Sequence, residues 1–376
     1  MLVGLDATPL LGRRTGIGRY VAALLPELQR LPAGADGNGL RLVATAFTLR
    51  GRGELAALLP PGVRDRSRAL PARLLQRVWA RAELPSVTSL VGRVDVFHGT
   101  NFVLPPPGSA RGVVTVHDLA FLHAPATVST TSQALRDLVP RALARADVVC
   151  TPSRAVADEV ADAYRLPADR IQVTPLGVDP AWSTTPPPDA AWRAERGLPE
   201  RYVLFVGTLE PRKMLPTLIE AQRLLQDSAA RGVPLVLLGP AGWGPRLDLT
   251  GLADDLVHTT GWRPDDDVRR IVAGAAVLAF PSAAEGFGLP PLEAFAAGVP
   301  VVASDLPVTR EVLGTDTRLA DLVPAGDAAA LAGALERRLT RPDTDGAVAG
   351  RRRRAASFTW AATAAATAEA YRRAGC

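Results

Sequence analysis

Two glutamates with seven residues between them, Glu285 and Glu293, enclose a glycine-rich loop that could bind an anion. Glu285 follows the apolar run 276–280, and Pro290 or Pro291 can begin a helix, because the first helical position needs no N–H group. Glu293 then falls in the first helical turn. Backbone amides at a helix N-terminus bind phosphate groups, and carboxylates accept hydrogen bonds from hydroxyl groups. The segment therefore predicts a site for a diphosphate linked to a sugar.

Taken alone, each glutamate is more simply an acidic residue that suits the helix dipole. The full motif adds the loop residues Gly286, Phe287, Gly288 and Leu289 and the exit Gly298-Val-Pro. It resembles the E-x7-E signature of retaining glycosyltransferases of family four, which have the GT-B fold. The resemblance implies that Glu293 holds the ribose hydroxyls and Glu285 a hydroxyl of the donor sugar. It also implies that the loop amides face the sugar and the phosphates.

The composition is that of a globular protein with more than one domain. The 376 residues, 47% of them apolar, can form two sizeable cores. No apolar run approaches the ~18 residues that span a membrane, and residues 1–6 are interpreted as a strand rather than a signal peptide. Cys150 and Cys376 provide neither a disulfide framework nor a metal-ligand cluster. We therefore expect a cytoplasmic protein.

Short β-branched runs alternate with helical stretches in the first half of the chain, and predicted strands again alternate with helices in the second half. This alternation predicts an α/β fold of two doubly wound, Rossmann-like domains with parallel sheets. A proline-rich span interrupts the pattern. We predict an acceptor-binding domain at 1–180, a linker at 181–200, a nucleotide-sugar-binding domain at 201–354 and a helix at 355–376. The GT-B resemblance implies that the domains face each other across a cleft and that the last helix crosses back to the first domain.

Two adjacent cations, Arg212 and Lys213, follow the first strand of the second half and the turn at Gly207. Such a pair can neutralise a leaving diphosphate, although adjacent cations are usually a solvated helix start. Lys213 is the only lysine in the chain, which favours a specific role. The pair resembles the family's Arg-Lys phosphate clamp, but this chain has Met214 where the family commonly has asparagine.

Two glycines of the first half, Gly16 and Gly18, open a helix after the first strand. Their spacing departs from the G-x-G-x-x-G pattern of a dinucleotide site, so a dehydrogenase is disfavoured. A turn that permits tight packing is the simpler interpretation. The family resemblance implies instead that both glycines face the donor diphosphate and sugar.

Polar residues end two further strands of the first half, His117-Asp118 and His98-Gly-Thr-Asn101. The resemblance implies that His117 contacts the transferred sugar. We interpret His98, Asn101 and Asp118 as lining the acceptor side. Hydrogen bonds to local carbonyl groups are the simpler interpretation of either histidine.

Two charged segments leave alternatives open. Segment 70–84 predicts an amphipathic basic helix that could rest on an anionic membrane presenting a lipid-linked acceptor, or could pack its apolar stripe on the domain. Asp265-Asp-Asp267 is interpreted as a helix start rather than a metal site. Arg351 to Arg354 is interpreted as a solvated stretch, without the aromatic residues that nucleic-acid binding favours.

These features, together with the family resemblance, predict a retaining transferase that moves a hexose from a nucleotide diphosphate sugar to a hydroxyl of a saccharide or lipid-linked acceptor. The family resemblance makes GDP-mannose the first choice of donor, with UDP- and dTDP-sugars next. The predicted catalytic residues are Arg212, Lys213, Glu285 and His117, with no metal and no cofactor required; magnesium bound through the substrate diphosphate stays open. The alternatives are a nucleotide-sugar epimerase on the same scaffold and a noncatalytic nucleotide-sugar-binding subunit. Peripheral contact with the inner face of the membrane is a further expectation.

Overall fold

The computed structural model describes residues 1–12, 16–32, 39–49 and 53–375. Within them the chain forms two compact units. The first comprises Met1–His123, Thr130–Gly177 and Thr359–Cys376, and the second comprises Ala124–Ser129 and Val178–Phe358. Each unit is built around its own parallel sheet, so the prediction of two doubly wound α/β domains is confirmed.

The strands are short and mostly buried on both faces, as parallel strands between helices must be. They are β1 Leu2–Asp6, β2 Arg41–Thr45, β3 Arg64–Asp65, β4 Val96–Gly99, β5 Arg111–Thr115, β6 Val148–Thr151, β7 Ile171–Val173, β8 Val203–Val206, β9 Leu235–Leu238, β10 Val257–Gly261, β11 Val277–Phe280, β12 Val301–Ser304 and β13 Ala320–Val323. The order is β3-β2-β1-β4-β5-β6-β7 in the first sheet and β10-β9-β8-β11-β12-β13 in the second.

Helices connect most of these strands. They are α1 Gly16–Arg30, α2 Glu54–Leu58, α3 Ala72–Trp79, α4 Val87–Val91, α5 Ala120–His123, α6 Thr130–Gln133, α7 Leu135–Arg145, α8 Arg154–Tyr164, α9 Ala181–Thr184, α10 Ala190–Glu195, α11 Leu215–Leu225, α12 Asp265–Ala273, α13 Leu289–Ala297, α14 Pro307–Leu313, α15 Ala328–Thr340, α16 Asp345–Ala356 and α17 Trp360–Gly375. Local sequence sets several ends: the Ser153 hydroxyl caps α8 by accepting from the Val156 amide at 3.2 Å.

The order of strands reverses at one point in each sheet, between β1 and β4 and between β8 and β11. Leu5 pairs with His98 across the first of these points, and Leu204 pairs with Leu278 across the second. Open α/β sheets bind ligands beyond the carboxyl ends of the strands at such a point. The loop after β8 carries Arg212 and Lys213, and the loop after β11 carries Glu285. Topology alone therefore brings these side chains to one place.

The last helix, α17, packs on the first unit against α1 and the strands β4 to β7. The Thr363 hydroxyl donates to the Pro175 carbonyl at 2.6 Å, and Arg373 donates to the Gln172 side chain at 2.7 Å. A Cβ atom on Gly177 would lie 2.2 Å from the Trp360 backbone nitrogen. Only glycine therefore allows the chain before the second unit to pass so close to α17.

Two sequence interpretations differ from the structure. Residues 181–200, interpreted as a linker, group with the second unit, because Trp182 and Leu198 are buried there. Arg351, interpreted as solvated, is fully buried in α16, a helix that the sequence did not predict. Its Nε atom donates to the Gly298 carbonyl at 2.9 Å, and its guanidinium pairs with Asp343, which accounts for a buried arginine.

Among the described residues, no helix is long and apolar enough to cross a bilayer.

Candidate functional site

The carboxyl ends of β8 and β11 carry a compact cluster of charged side chains. The Lys213 Nζ atom lies 2.5 Å from Glu285 Oε1, and Arg212 Nη1 lies 3.2 Å from Glu285 Oε2. The Lys213 ammonium also lies 5.1 Å from the centre of the Phe280 ring, a cation–π contact. Arg212, Lys213 and Glu285, singled out from separate parts of the sequence, are thus in direct contact.

A second acidic residue, Glu210, completes this cluster. Its Oε1 atom accepts a hydrogen bond from Arg212 Nη2 at 2.8 Å, while Arg212 Nη1 donates to the Ala284 carbonyl at 2.8 Å. The two loops are also joined by the Ala283 amide, which donates to the Arg212 carbonyl at 3.0 Å. The sequence analysis assigned no role to Glu210, although it lies two residues before Arg212. Both terminal nitrogens of the Arg212 guanidinium thus have protein partners that fix its orientation.

Glu285 is ionised in this arrangement. Burial alone would raise the pKa of its carboxyl group, but the nearby Lys213 and Arg212 outweigh burial and lower that pKa from 4.5 to about 2. The Glu285 side chain is only 9% exposed. At neutral pH it is therefore a hydrogen-bond acceptor and not a proton donor.

Glycines shape the backbone that presents the cations. Gly207 follows β8 with φ of 152°, and a Cβ atom on Gly239 after β9 would lie only 2.0 Å from the Gly207 carbonyl oxygen. Pro211–Lys213 then form one turn of 3-10 helix. Met214 ends that turn in the left-handed conformation, with φ of 52° and ψ of 39°, and stands at the N-cap of α11. The close turn directs both cations toward the loop after β11.

The glycine loop leads directly into α13. Gly288 is the N-cap of this helix with φ of 94°, and Leu289 is its first residue. Pro290 and Pro291 carry no N–H groups, so the amides at this end belong to the residues before them. The Phe287 ring packs edge-on against Phe358 with ring centres 5.6 Å apart, which leaves its backbone as the part suited to a ligand. This loop and helix start have the form of an anion site.

Glu293 lies in the second turn of α13, so its predicted place in the first turn is wrong. The helix begins at Leu289, one residue earlier than the prolines suggested. Glu293 is only 5% exposed, on a helix buried on nearly every side. A carboxylate in such surroundings requires polar partners. Because Glu293 lies beyond the first turn, a dipole effect at the helix start does not account for it.

In the first unit, His117 lies just beyond β5 and is 8% exposed. Its Nε2 atom lies 2.9 Å from the Thr100 carbonyl, and its ring makes edge contacts with Tyr20 and Phe102. Burial lowers the pKa of His117, although the Thr100 carbonyl and Asp118 oppose the shift. A neutral ring must donate from Nε2 to the carbonyl, so its Nδ1 atom is the acceptor.

His98 was predicted wrongly as part of the acceptor side. It is fully buried, and burial, together with His117, lowers its pKa to about 3. Both ring nitrogens have partners inside the unit: Nδ1 lies 2.8 Å from the Tyr371 hydroxyl and Nε2 lies 2.8 Å from the Thr115 hydroxyl. His98 therefore has no ring atom left for a ligand.

The other predicted residues of the first unit are more accessible. Asn101 and Asp118 are half-buried, and an Asp118 oxygen accepts from the Ala120 amide at 3.0 Å. Gly16 and Gly18 lie in the first turn of α1. Residues 13–15 of the same glycine loop lie outside the described residues. In the part of the chain that the structure describes, no three His, Cys, Asp or Glu side chains are grouped to hold a metal ion.

Two sequence models of known families match this chain in succession. The model described as Glycosyltransferase Family 4 matches residues 14–182, and the model described as glycosyl transferases group 1 matches residues 200–341. The chain is 32% identical over 308 residues to D-inositol 3-phosphate glycosyltransferase of Thermobispora bispora, covering 74% of this chain and 71% of the relative. It is 31% identical over 240 residues to O-antigen chain mannosyltransferase B of Escherichia coli, covering 60% and 61%.

The matched part of this chain spans 53% to 61% of the length of several curated relatives. Among solved structures, Anabaena HepE in complex with UDP-glucose is similar over 98% of both chains, with a TM-score of 0.68 and 19% identity. That likeness is one of fold.

Proposed function

Because the chain belongs to the family-four, group 1 glycosyltransferases, we propose that it transfers a hexose from a nucleoside diphosphate to a hydroxyl of a saccharide or lipid-linked saccharide, with retention of configuration. The observation that carries this proposal is the buried cluster of Arg212, Lys213 and Glu285 beside the glycine loop before α13. Two cations, loop amides and an ionised carboxylate are the groups that a sugar diphosphate needs.

Arg212 and Lys213 stabilise the diphosphate as it leaves. Negative charge builds on the phosphate oxygens as the sugar–phosphate bond lengthens, and fixed cations lower the energy of that state more than that of the bound donor. Glu210 and the Ala284 carbonyl hold Arg212 in place beforehand. The cluster thus needs little reorganisation during the reaction.

The two glutamates bind the donor as hydrogen-bond acceptors. Glu285, held ionised by its cationic neighbours, accepts from a hydroxyl of the donor sugar. Glu293, inside α13, accepts from the ribose hydroxyls. His117 accepts a hydrogen bond from a sugar hydroxyl at Nδ1, since its Nε2 atom is bonded to the Thr100 carbonyl.

Retention requires no protein nucleophile in this scheme. The acceptor hydroxyl attacks the anomeric carbon from the face that the diphosphate leaves and gives its proton to a phosphate oxygen. The anomeric carbon–oxygen bond to phosphate breaks as the new glycosidic bond forms. The protein contributes position and electrostatic stabilisation.

Mannose is the favoured sugar, with GDP-mannose the favoured donor. The support is the similarity to a mannosyltransferase named for O-antigen chains. The HepE complex contains UDP-glucose, so a UDP-sugar is the next candidate, followed by a dTDP-sugar.

Calorimetric binding of GDP, UDP, dTDP and ADP to wild type, Glu293→Gln and the exposed control Glu200→Gln tests the proposal. We expect one nucleotide to bind selectively and Glu293→Gln to weaken it about 10–100-fold, because charge-assisted hydrogen bonds are lost. Glu200→Gln leaves binding unchanged. Incubating the matching nucleotide sugar with candidate acceptors then gives a product whose anomeric configuration NMR determines. No nucleotide binding, or equal binding by Glu293→Gln, would contradict the proposal.

A lipid-linked acceptor would bring the protein to an anionic membrane surface. A groove of about 870 Å³ between α3 and α7 is lined by Arg77, Arg81, Arg136 and Arg141, with Asp137 the acid among its lining residues. Leu74 on α3 is 56% exposed, while Leu75 and Trp79 pack inside the unit. The buried Leu75 and Trp79 thus support ordinary packing of α3, whereas the exposed Leu74 and the arginines support contact with a membrane surface. Co-sedimentation with anionic vesicles at low salt tests this contact, and Arg77→Gln with Arg81→Gln should weaken it.

A further inference from the structure

Four buried side chains of the first unit form one continuous hydrogen-bonded chain. Tyr371 on α17 lies 2.8 Å from His98 Nδ1 on β4, and His98 Nε2 lies 2.8 Å from the Thr115 hydroxyl on β5. The Thr115 hydroxyl lies 3.2 Å from the Tyr20 hydroxyl on α1. Each of the four is at most 1% exposed. The chain therefore connects four different elements and reaches neither solvent nor a ligand directly.

The far end of this chain supports His117. The Tyr20 ring meets the His117 ring edge-on with centres 5.2 Å apart, and Phe102 makes a similar contact at 5.5 Å. Thr115 is also two residues before His117 on the same strand and its extension. A displacement of the Tyr20 hydroxyl would change the wall against which the imidazole packs.

Loss of any one hydrogen bond in this chain should change the geometry of the others. The hydroxyls of Tyr371, Thr115 and Tyr20 can each donate or accept, whereas neutral His98 has one donor and one acceptor nitrogen. Buried polar groups that lose a partner are strongly destabilised in a medium of low dielectric constant, so the four groups adopt one arrangement together. The chain is thus suited to fix orientation rather than to move charge.

We propose that His98, Thr115 and Tyr371 are positioning residues for His117, which they orient through Tyr20. This inference rests on the proposed function, in which His117 contacts the transferred sugar. It gives His98 a role in the site although three residues, Thr115, Tyr20 and His117, separate it from the ligand. It also gives the last helix, α17, a part in the alignment of the site.

The test replaces the central hydroxyl. Thr115→Val keeps the shape of the side chain and removes the bonds to both His98 and Tyr20. Thr367→Val is the matched control, because Thr367 is equally buried and its hydroxyl donates only to the Thr363 carbonyl of its own helix. Tyr371→Phe is the second variant, which retains the ring and breaks the bond at the other end of the chain.

The first readout needs no substrate. The protein has four histidines, so the ring signals of a sample labelled with ¹³C,¹⁵N-histidine are few. They can be assigned with His98→Gln and His117→Gln. We expect Thr115→Val and Tyr371→Phe to shift the His117 ring signals, and Thr367→Val to leave them in place. Unchanged His117 signals in folded Thr115→Val and Tyr371→Phe would overturn the inference, whatever the activity.

The second readout is kinetic. We expect Thr115→Val to lower kcat about tenfold with little change in donor KM, as misplacement of a catalytic contact does. His117→Gln separates the two hypotheses. If His117→Gln has wild-type turnover, the proposed contact of His117 with the sugar fails, while the NMR result still decides whether the buried chain positions the ring.

Discussion

At the scale of single residues, Glu285 is the carboxylate that contacts both cations of the proposed donor site. Lys213 lies 2.5 Å and Arg212 3.2 Å from its two oxygens, and all three side chains are less than a fifth exposed. Ion pairs in such surroundings are weakly screened, and loss of one partner leaves buried charge uncompensated. The electrostatics of the site and the stability of the second unit are therefore linked.

Glu285→Gln should lower the free energy of unfolding by about 3 kcal/mol at pH 7. The folded-state pKa of Glu285 is lowered from 4.5 to about 2, so its stabilisation is present above pH 4.5 and is lost as the pH falls toward 2. The difference between wild type and variant should shrink to about half by pH 3. Urea unfolding at pH 7, 5 and 3 measures it, with Glu200→Gln as the control. A difference that stays constant down to pH 3 would contradict the assignment.

Three residues of the proposed donor site could be predicted from the sequence because they belong to continuous motifs. Arg212, Lys213 and Glu285 each follow the end of an apolar strand, and their contact results from the topology of the sheet. Glu210 was missed because an acid near an arginine is common on any surface. The link between His98 and Tyr371 could not be predicted, since no pattern connects residues so far apart in sequence.

At the scale of secondary structure, the start of α11 has a residue that is poorly suited to its conformation. Met214 is the N-cap in the left-handed conformation, and its side chain makes no capping hydrogen bond. Asparagine, which the resemblance described above led us to expect here, adopts this conformation readily and is among the preferred N-cap residues. A methionine lacks both advantages. Methionine at position 214 should therefore lower the stability of the N-terminal end of α11.

Met214→Asn should raise the free energy of unfolding by about 1 kcal/mol, because it relieves backbone strain and adds a cap. Thermal unfolding of wild type, Met214→Asn and Met214→Ala measures the effect. Alanine has neither property and shortens a half-buried side chain, so it should give no stabilisation. An asparagine variant no more stable than the alanine variant would show that the left-handed N-cap is not under strain.

Elements were predicted well where one signal dominated. Continuous apolar runs identified the strands, since both faces are buried. The start of α13 was misplaced by one residue, because proline tolerates any position of the first turn. Helix α16 was missed because Arg351–Arg354 suggested solvent, whereas Arg351 is buried between Gly298 and Asp343. Tertiary contacts, which a local pattern does not contain, decided these cases.

At the scale of the whole molecule, the chain crosses between its two units more than once. It enters the second unit after Gly177 and returns to the first at Thr359. The alternation of strands and helices predicted two units. The proline-rich span was interpreted as a linker between them, but it groups with the second unit, where its residues Trp182 and Leu198 are buried. Prolines mark a break in periodicity and do not show which core the break packs against.

The whole molecule has a single lysine, Lys213, which is the buried cation of the proposed donor site and is 8% exposed. A lysine-specific protease can therefore cut only the Lys213–Met214 bond, giving fragments 1–213 and 214–376. Native cleavage requires local opening, so its rate follows the population of the open form. We expect a bound nucleoside diphosphate to slow cleavage and Glu285→Gln to accelerate it, both read on a denaturing gel. Equal rates in all three samples would contradict this. One peptide bond would then report, without any label, how often the site opens.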